Sequence, residues 1–198
     1  MSANARKYSI IEILQHWVLV FLFAFLALTG FVQAKPLGAF SLWFAKLLGG
    51  LSNVIFSHRI AGFAFTLCFF AHLTQATIAF IKGKRGLILK VEDFRRLADT
   101  KPAGRFSLRQ KLDYFAVLVG SAIFIISGVG LLYPEFVSRI FSGTAVAALR
   151  EIHFCEAVLA TSLIIVWHIF YAHFHPATIP FDTMILKPVK KDKHAKAD

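Results

Sequence analysis

The chain has 198 residues, of which 57% are hydrophobic, and it carries a formal net charge of +11. Soluble domains are about 45–50% apolar, so the composition predicts a membrane protein and argues against a soluble, basic nucleic-acid-binding protein. Only two cysteines occur, Cys68 and Cys155, both in apolar segments. They provide neither a disulfide framework nor a CxxCH haem-attachment motif.

Four apolar segments long enough to cross a bilayer divide the chain. They cover residues 11–32, 53–81, 112–132 and 151–175. The first has no small-residue cleavage site, so we expect it to remain as a helix. The segment between the first two spans is too short and too broken to cross, and is predicted to lie at the membrane interface. The four spans make one domain, residues 1–182, followed by a polar tail over 183–198.

Lysine and arginine are concentrated on one side of the predicted membrane. Residues 82–111, the N-terminus and the tail are basic, whereas the two connections on the other side hold only four basic residues. Basic loops stay in the cytoplasm. The sequence therefore predicts a multi-pass protein of the bacterial inner membrane with both termini cytoplasmic.

Histidines recur at two depths in the second and fourth spans. His58 and His72 are 14 residues apart, and His153 and His168 are 15 apart. At about 100° and about 1.5 Å per residue, each pair stays within about 60° of one helix face and spans about 21 to 22 Å. An ionisable side chain inside a membrane indicates a functional site, and imidazole suits iron as an axial ligand.

These patterns predict an all-α integral membrane four-helix bundle that holds b-type haems between its helices. A lone membrane histidine could instead hydrogen-bond a neighbouring helix, but two pairs at matched depths favour two haem layers. Zinc needs its ligands at one depth, which makes a histidine-based metal transporter or metalloenzyme the less favoured alternative. Arg59, beside His58, is a candidate partner for a haem propionate; its other reading is an interfacial arginine.

The layer nearer the cytoplasm, called the inner layer, has three candidate iron ligands: His16 in the first span, His72 and His168. Equal depth favours His72 with His168, and His16 is then a ligand of the same haem or of a third one. His173, five residues beyond His168, is a candidate ligand of a third haem, a proton partner for quinone, or a surface residue.

Several stretches match a known group of membrane cytochromes. They are QHW at 15–17 with TG at 29–30, SHRIAG at 57–62, GRFSLRQKLDYF at 104–115, SGVGLLYP at 127–134, IHFCEAVLA at 152–160 and WHIFYAHFHP at 167–176. With these motifs the chain resembles the four-helix cytochrome b subunits of respiratory dehydrogenases, such as the gamma subunit of membrane-bound formate dehydrogenase. It is most similar to the cytochrome b/b6-domain branch, and the likeness extends to about residue 182.

The resemblance implies two different inner ligand pairs. In the formate dehydrogenase subunit the equivalents of His58 and His153 pair, as do those of His16 and His168. The additional His72 and the spacings of 14 and 15 resemble cytochrome b6, where histidines of the second and fourth helices pair at both levels. The choice between His16 and His72 stays open on the sequence alone.

The resemblance also implies a menaquinone or ubiquinone site beside the inner haem. The matching positions are Ser107, Arg109 and Gln110, although Arg109 could equally serve as a positive-inside anchor. We expect a cytochrome b subunit that carries electrons between the quinone pool and a periplasmic partner, either a dehydrogenase iron–sulfur subunit or a multihaem cytochrome c. The alternative is a stand-alone cytochrome b561-like quinone oxidoreductase. In either reading the cofactors are two or three b haems and a quinone, and the haem and quinone perform the chemistry.

Overall fold

The computed structural model describes residues 10–83, 86–95, 106 and 108–170, and all regular structure in this part of the chain is helical. The predicted all-α fold is therefore confirmed. In chain order the helices are α1 (Ile10–Ala34), α2 (Ala39–Leu47), α3 (Leu51–Ile81), α4 (Val91–Arg95), α5 (Leu108–Leu132), α6 (Pro134–Ile140) and α7 (Gly143–Leu163), the last continuing as a π-helical segment (Ile164–His168).

Among the described helices, α1, α3 and α5 are long and apolar enough to cross a membrane. They contain the first three predicted spans and extend them by a few residues at one or both ends. Large apolar side chains such as Phe21 and Ile126 are exposed on these helices, as lipid-facing residues of a bundle must be. The predicted fourth span begins inside α7 and ends beyond the described residues, so its complete crossing stays a prediction.

The segment between the first two spans, which is predicted to lie at the membrane interface, contains α2, whose nine residues are too few to cross a bilayer. Gly49 and Gly50, with φ of 82° and 118°, turn the chain sharply from α2 into α3, and only glycine adopts these angles without strain. Phe44 of α2 then packs against Val32 and Val54 in a buried cluster. This cluster fixes the end of α1 beside the start of α3.

The bundle is built from two antiparallel helix pairs. Helix α1 packs chiefly on α3, and α5 on α7, while contacts between α1 and α7 and between α3 and α5 join the pairs. Because the chain runs up and down, the end of α1 lies beside the start of α3, and the end of α5 beside the start of α7. This end is called the outer layer below, and the opposite end the inner layer.

A buried ion pair fixes the start of α5. Lys111 Nζ lies 2.6 Å from Asp93 Oδ2 and also donates to the Ile88 carbonyl oxygen at 2.8 Å. The backbone N–H of Lys90 donates to the same Asp93 oxygen at 2.8 Å. The hydrogen bond from Lys111, followed by that from Lys90, holds the pKa of Asp93 below its ordinary value. The carboxylate therefore stays charged at neutral pH and ties the preceding connection to the helix.

Candidate functional site

The outer layer brings together His58 of α3 and His153 of α7. Their ring centroids are 6.3 Å apart with the ring planes at 72°. Two imidazoles on opposite sides of one metal ion, each with its nitrogen at about 2 Å, have ring centres about 6.3 Å apart. The separation of these two rings therefore fits one shared iron ion.

A hydroxyl group fixes the protonation of His58. Thr29 Oγ1 donates its single hydrogen to the Phe25 carbonyl oxygen at 2.7 Å, and it lies 2.8 Å from His58 Nδ1. Since that hydrogen is already engaged, the hydroxyl oxygen accepts from Nδ1–H. In a neutral imidazole the other nitrogen, Nε2, then keeps its lone pair for a metal.

The same device recurs on the opposite ligand. Ser127 Oγ donates to the Ile123 carbonyl oxygen at 2.6 Å and lies 2.8 Å from His153 Nδ1. Thr29 and Ser127 are 0% and 1% exposed, so water does not compete for these bonds. Both outer histidines are consequently set to present Nε2.

A glycine follows each of these hydroxyl residues. A Cβ atom added to Gly30 would lie 3.5 Å from His58 Cε1, and one added to Gly128 would lie 3.5 Å from His153 Cε1. A larger side chain at either position would fill the space along the edge of the imidazole. The two glycines thus leave a cradle in which a flat ligand can approach the ring.

The inner layer brings His16 of α1 against His168, with ring centroids 6.2 Å apart and an interplanar angle of 35°. This distance again matches two imidazoles sharing one metal ion. His168 Nδ1 lies 2.5 Å from Asp113 Oδ2. An ionised carboxylate can only accept a hydrogen bond, so His168 carries its proton on Nδ1 and presents Nε2.

His72 contacts Tyr114 at the inner layer. Its Nε2 lies 3.2 Å from the Tyr114 hydroxyl, and the two rings are 5.6 Å apart. The predicted ligation of one haem by His72 and His168 stays a prediction, while the ring contact observed for His168 is with His16. His173 lies outside the described residues.

Of the other predicted site residues, Arg59 and Arg109 are exposed and Gln110 is partly buried. Arg59 follows His58 near the outer end of α3, and its predicted contact with a haem propionate stays a prediction. Arg109 and Gln110 lie in the first turn of α5, at the inner end of the bundle. Ser107 lies outside the described residues.

The π-helical segment explains the extra residue between His153 and His168. A π turn holds one residue more than an α turn, because its hydrogen bonds run from i+5 to i. The segment Ile164–His168 therefore absorbs one residue, so the spacing of 15 acts much like the 14 that separates His58 and His72. His168 therefore lies close to the helix face that a spacing of 14 would give it in a regular α-helix.

Each of the four long helices contributes a polar residue to the outer layer and another to the inner layer. The pairs, outer member first, are Thr29 and His16 in α1, His58 and His72 in α3, Ser127 and Asp113 in α5, and His153 and His168 in the last helix. Their separations of 13 to 15 residues correspond to about 20 to 22 Å. In the described part of the chain no group of three or more His, Cys, Asp or Glu side chains could hold a metal ion.

Paired imidazoles in two layers of an apolar helical bundle define a membrane b-type cytochrome. The chain belongs to the prokaryotic cytochrome b561 family, whose model matches residues 7–185. A search of curated proteins gave no significant match. The protein is thus a prokaryotic membrane cytochrome b that binds haem b and transfers electrons with quinone.

Sequence reasoning named the histidines but not the groups that orient them. Thr29, Ser127 and Gly128 were recognisable only as matching motifs or as small residues that allow close helix approach. Asp113 was not identified, although an acidic residue near the start of an apolar span is itself a signal of a buried partner.

Proposed function

We propose that this chain is the di-haem cytochrome b subunit of a respiratory complex, similar to the gamma subunit of formate dehydrogenase. It carries electrons across the inner membrane between a periplasmic redox partner and the quinone pool. The observation that supports this best is the pair of ring separations, 6.3 Å for His58 with His153 and 6.2 Å for His16 with His168.

In this proposal His58 and His153 hold the outer haem, and His16 and His168 hold the inner one. A b haem, when bound, supplies one-electron transfer between its ferric and ferrous forms. Two histidine ligands leave no iron position open for a substrate, which suits electron transfer and not substrate activation. The hydroxyl and carboxylate partners keep the ligand nitrogens unprotonated and the rings oriented.

The orientation follows from the basic residues. Residues 82–111, which connect the inner ends of α3 and α5, hold ten of the 22 Lys and Arg residues of the chain, so we place this connection in the cytoplasm. The outer layer then lies near the periplasm, where a dehydrogenase iron–sulfur subunit or a multihaem cytochrome c can dock. The exposed Arg59 would neutralise a propionate of the outer haem at this surface.

We place the quinone site, for menaquinone or ubiquinone, at the inner end of α5. Gln110 and Tyr114 are four residues apart and therefore share one helix face, and Tyr114 meets His72 across the gap to α3. Amide, phenol and imidazole groups can donate hydrogen bonds to quinone carbonyl oxygens. Arg109, adjacent in the same turn, contributes positive charge on the cytoplasmic side.

Haem counting on single variants tests the proposal. The purified protein should contain two haem b per chain by the pyridine haemochrome assay. His58→Ala and His153→Ala should each remove the same haem, and His168→Ala the other, while His194→Ala in the predicted tail serves as the matched control. Absence of haem b, or full occupancy in all three ligand variants, would reject the proposal.

Copurification distinguishes the subunit from a stand-alone oxidoreductase. Native protein extracted in mild detergent should bring down a periplasmic redox subunit in a fixed ratio. A di-haem protein that is isolated alone from its native membrane, and still exchanges electrons with quinone, would instead establish the cytochrome b561-like alternative.

A further inference from the structure

The two layers differ in the charge of the groups that hold the histidines. In the outer layer the acceptors at Nδ1 are neutral hydroxyls, those of Thr29 and Ser127. In the inner layer the acceptor at His168 Nδ1 is the Asp113 carboxylate, at 2.5 Å. Both side chains of this pair are about three-quarters buried, with 26% and 23% exposure for His168 and Asp113.

The nearby lysine does not neutralise this carboxylate by direct contact. Lys111 Nζ is 2.6 Å from Asp93, and it donates its second bond to the Ile88 carbonyl oxygen. Lys111 is thereby committed to the preceding connection, while Asp113 is hydrogen-bonded to the histidine. A negative charge consequently acts on one ligand of the inner layer and has no counterpart at the two Nδ1 atoms of the outer layer.

We propose that Asp113 is a positioning residue that lowers the reduction potential of the inner haem through His168. This inference rests on the proposed function, because it takes His168 as an iron ligand. A charged acceptor forms a stronger hydrogen bond than a neutral one and raises the basicity of the ligand nitrogen on the far side of the ring. A more basic ligand stabilises ferric over ferrous iron, and such bonds are among the levers that set haem potentials.

Helix α5 supplies the charged acceptor of the inner layer and one of the two neutral acceptors of the outer layer. Ser127 and Asp113 lie 14 residues apart on α5, close to one face of the helix and about 21 Å apart. Both reach histidines of the same neighbouring helical segment. One helix thus gives one ligand a neutral partner and the other a charged one, which separates the potentials of two haems with the same ligand types.

The test is a redox titration at pH 7 of the haem-replete protein and its variants. Asp113→Asn keeps an acceptor oxygen but removes the charge. It should lower the ferric-to-ferrous ratio of one haem at least tenfold at a fixed potential, which is an upward shift of about 59 mV for a one-electron couple. The titration wave of the other haem, that is, its midpoint potential, should not move. Asp113→Ser, which provides the hydroxyl used in the outer layer, should shift the same wave in the same direction.

Two controls separate this effect from a general loss of charge. Asp113→Glu keeps the carboxylate and should hold the wave closer to its original position than Asn does. Glu156→Gln removes a carboxylate of α7 that lies against Gly120 and should leave the inner wave unchanged.

An unmoved inner wave in Asp113→Asn, equal shifts of both waves, or loss of the inner haem in both Asp113→Asn and Asp113→Ser would overturn the inference. The last result would make Asp113 a group that retains the ligand without tuning it. The proposed function fails in a different way, namely when His168→Ala keeps both haems.

Discussion

The hydroxyl groups of the outer layer provide the sharpest test of the site. Thr29→Val keeps the shape of the side chain but removes the acceptor that lies 2.8 Å from His58 Nδ1. A buried donor that loses its acceptor costs at most about 1–3 kcal/mol, and the Leu26 backbone remains a second hydrogen-bond partner of His58. Loss of such a partner behind a metal-bound histidine weakens binding about 10–100-fold, which corresponds to about 1.4–2.8 kcal/mol. The two estimates agree, so we expect outer haem affinity to fall by this factor.

Ser127→Ala should weaken the same haem by a similar factor, since Ser127 acts on the opposite ligand. The assay is titration of haem-free protein with haemin, followed by Soret absorbance. Thr66→Val and Ser162→Ala are matched controls, because these hydroxyls bond carbonyl oxygens of their own helices at 2.8 Å. Unchanged affinity in Thr29→Val and Ser127→Ala, or loss of two different haems, would refute the assignment of both residues to one site.

Four further predictions concern the inner ligands, the topology, the ion pair of Asp93 and the π-helical turn. His16→Ala should remove the inner haem, while His72→Ala should retain two haems per chain. The opposite result would establish the cytochrome b6-like pairing. If a third haem exists, each of the two variants should lose a different haem. A cysteine at Ala98 should resist a membrane-impermeant thiol reagent in intact cells, and ready labelling would invert the orientation. The hydrogen bonds of Asp93 lower its pKa from the ordinary value of 3.8. Its contribution to stability is therefore present above pH 3.8 and is lost as the pH falls through the pKa of the folded state. Asp93→Asn should flatten that part of the curve of melting temperature against pH. Deletion of Val166 should keep both haems, whereas insertion of one alanine beside it should remove the inner one, and retention of both haems after insertion would contradict the register argument.

Much of the architecture could be predicted from hydrophobicity alone. Three of the expected spans lie within α1, α3 and α5, because an apolar run of this length has few stable alternatives to a membrane helix. The short α2 followed from the break in that pattern. The start of α5 could not be anticipated, since the buried bond between Lys111 and Asp93 joins residues 18 positions apart and each looks like an ordinary surface charge in sequence.

The depth of the histidines was equally readable, because a helix converts residue number into height at a fixed rate. Which two histidines pair in the inner layer could not be read from the sequence. His16 and His72 both reach the inner layer, and only the packing of α1, α3 and the last helix decides which ring faces His168. The structure shows His16 beside His168 and His72 beside Tyr114, a distinction that no spacing within one helix contains.

The spacing of 15 residues in the last helix shows why such arguments need local geometry. Read as a regular α-helix, it turns His168 about 100° further round the helix than a spacing of 14 would. The π-helical turn at Ile164–His168 removes that extra rotation by taking one additional residue per turn. Because His168 itself ends this segment and is bonded to Asp113, the irregular turn lies where a ligand must be aimed. The apparent irregularity in sequence is thus what brings the ligand and its carboxylate partner to the same height and face.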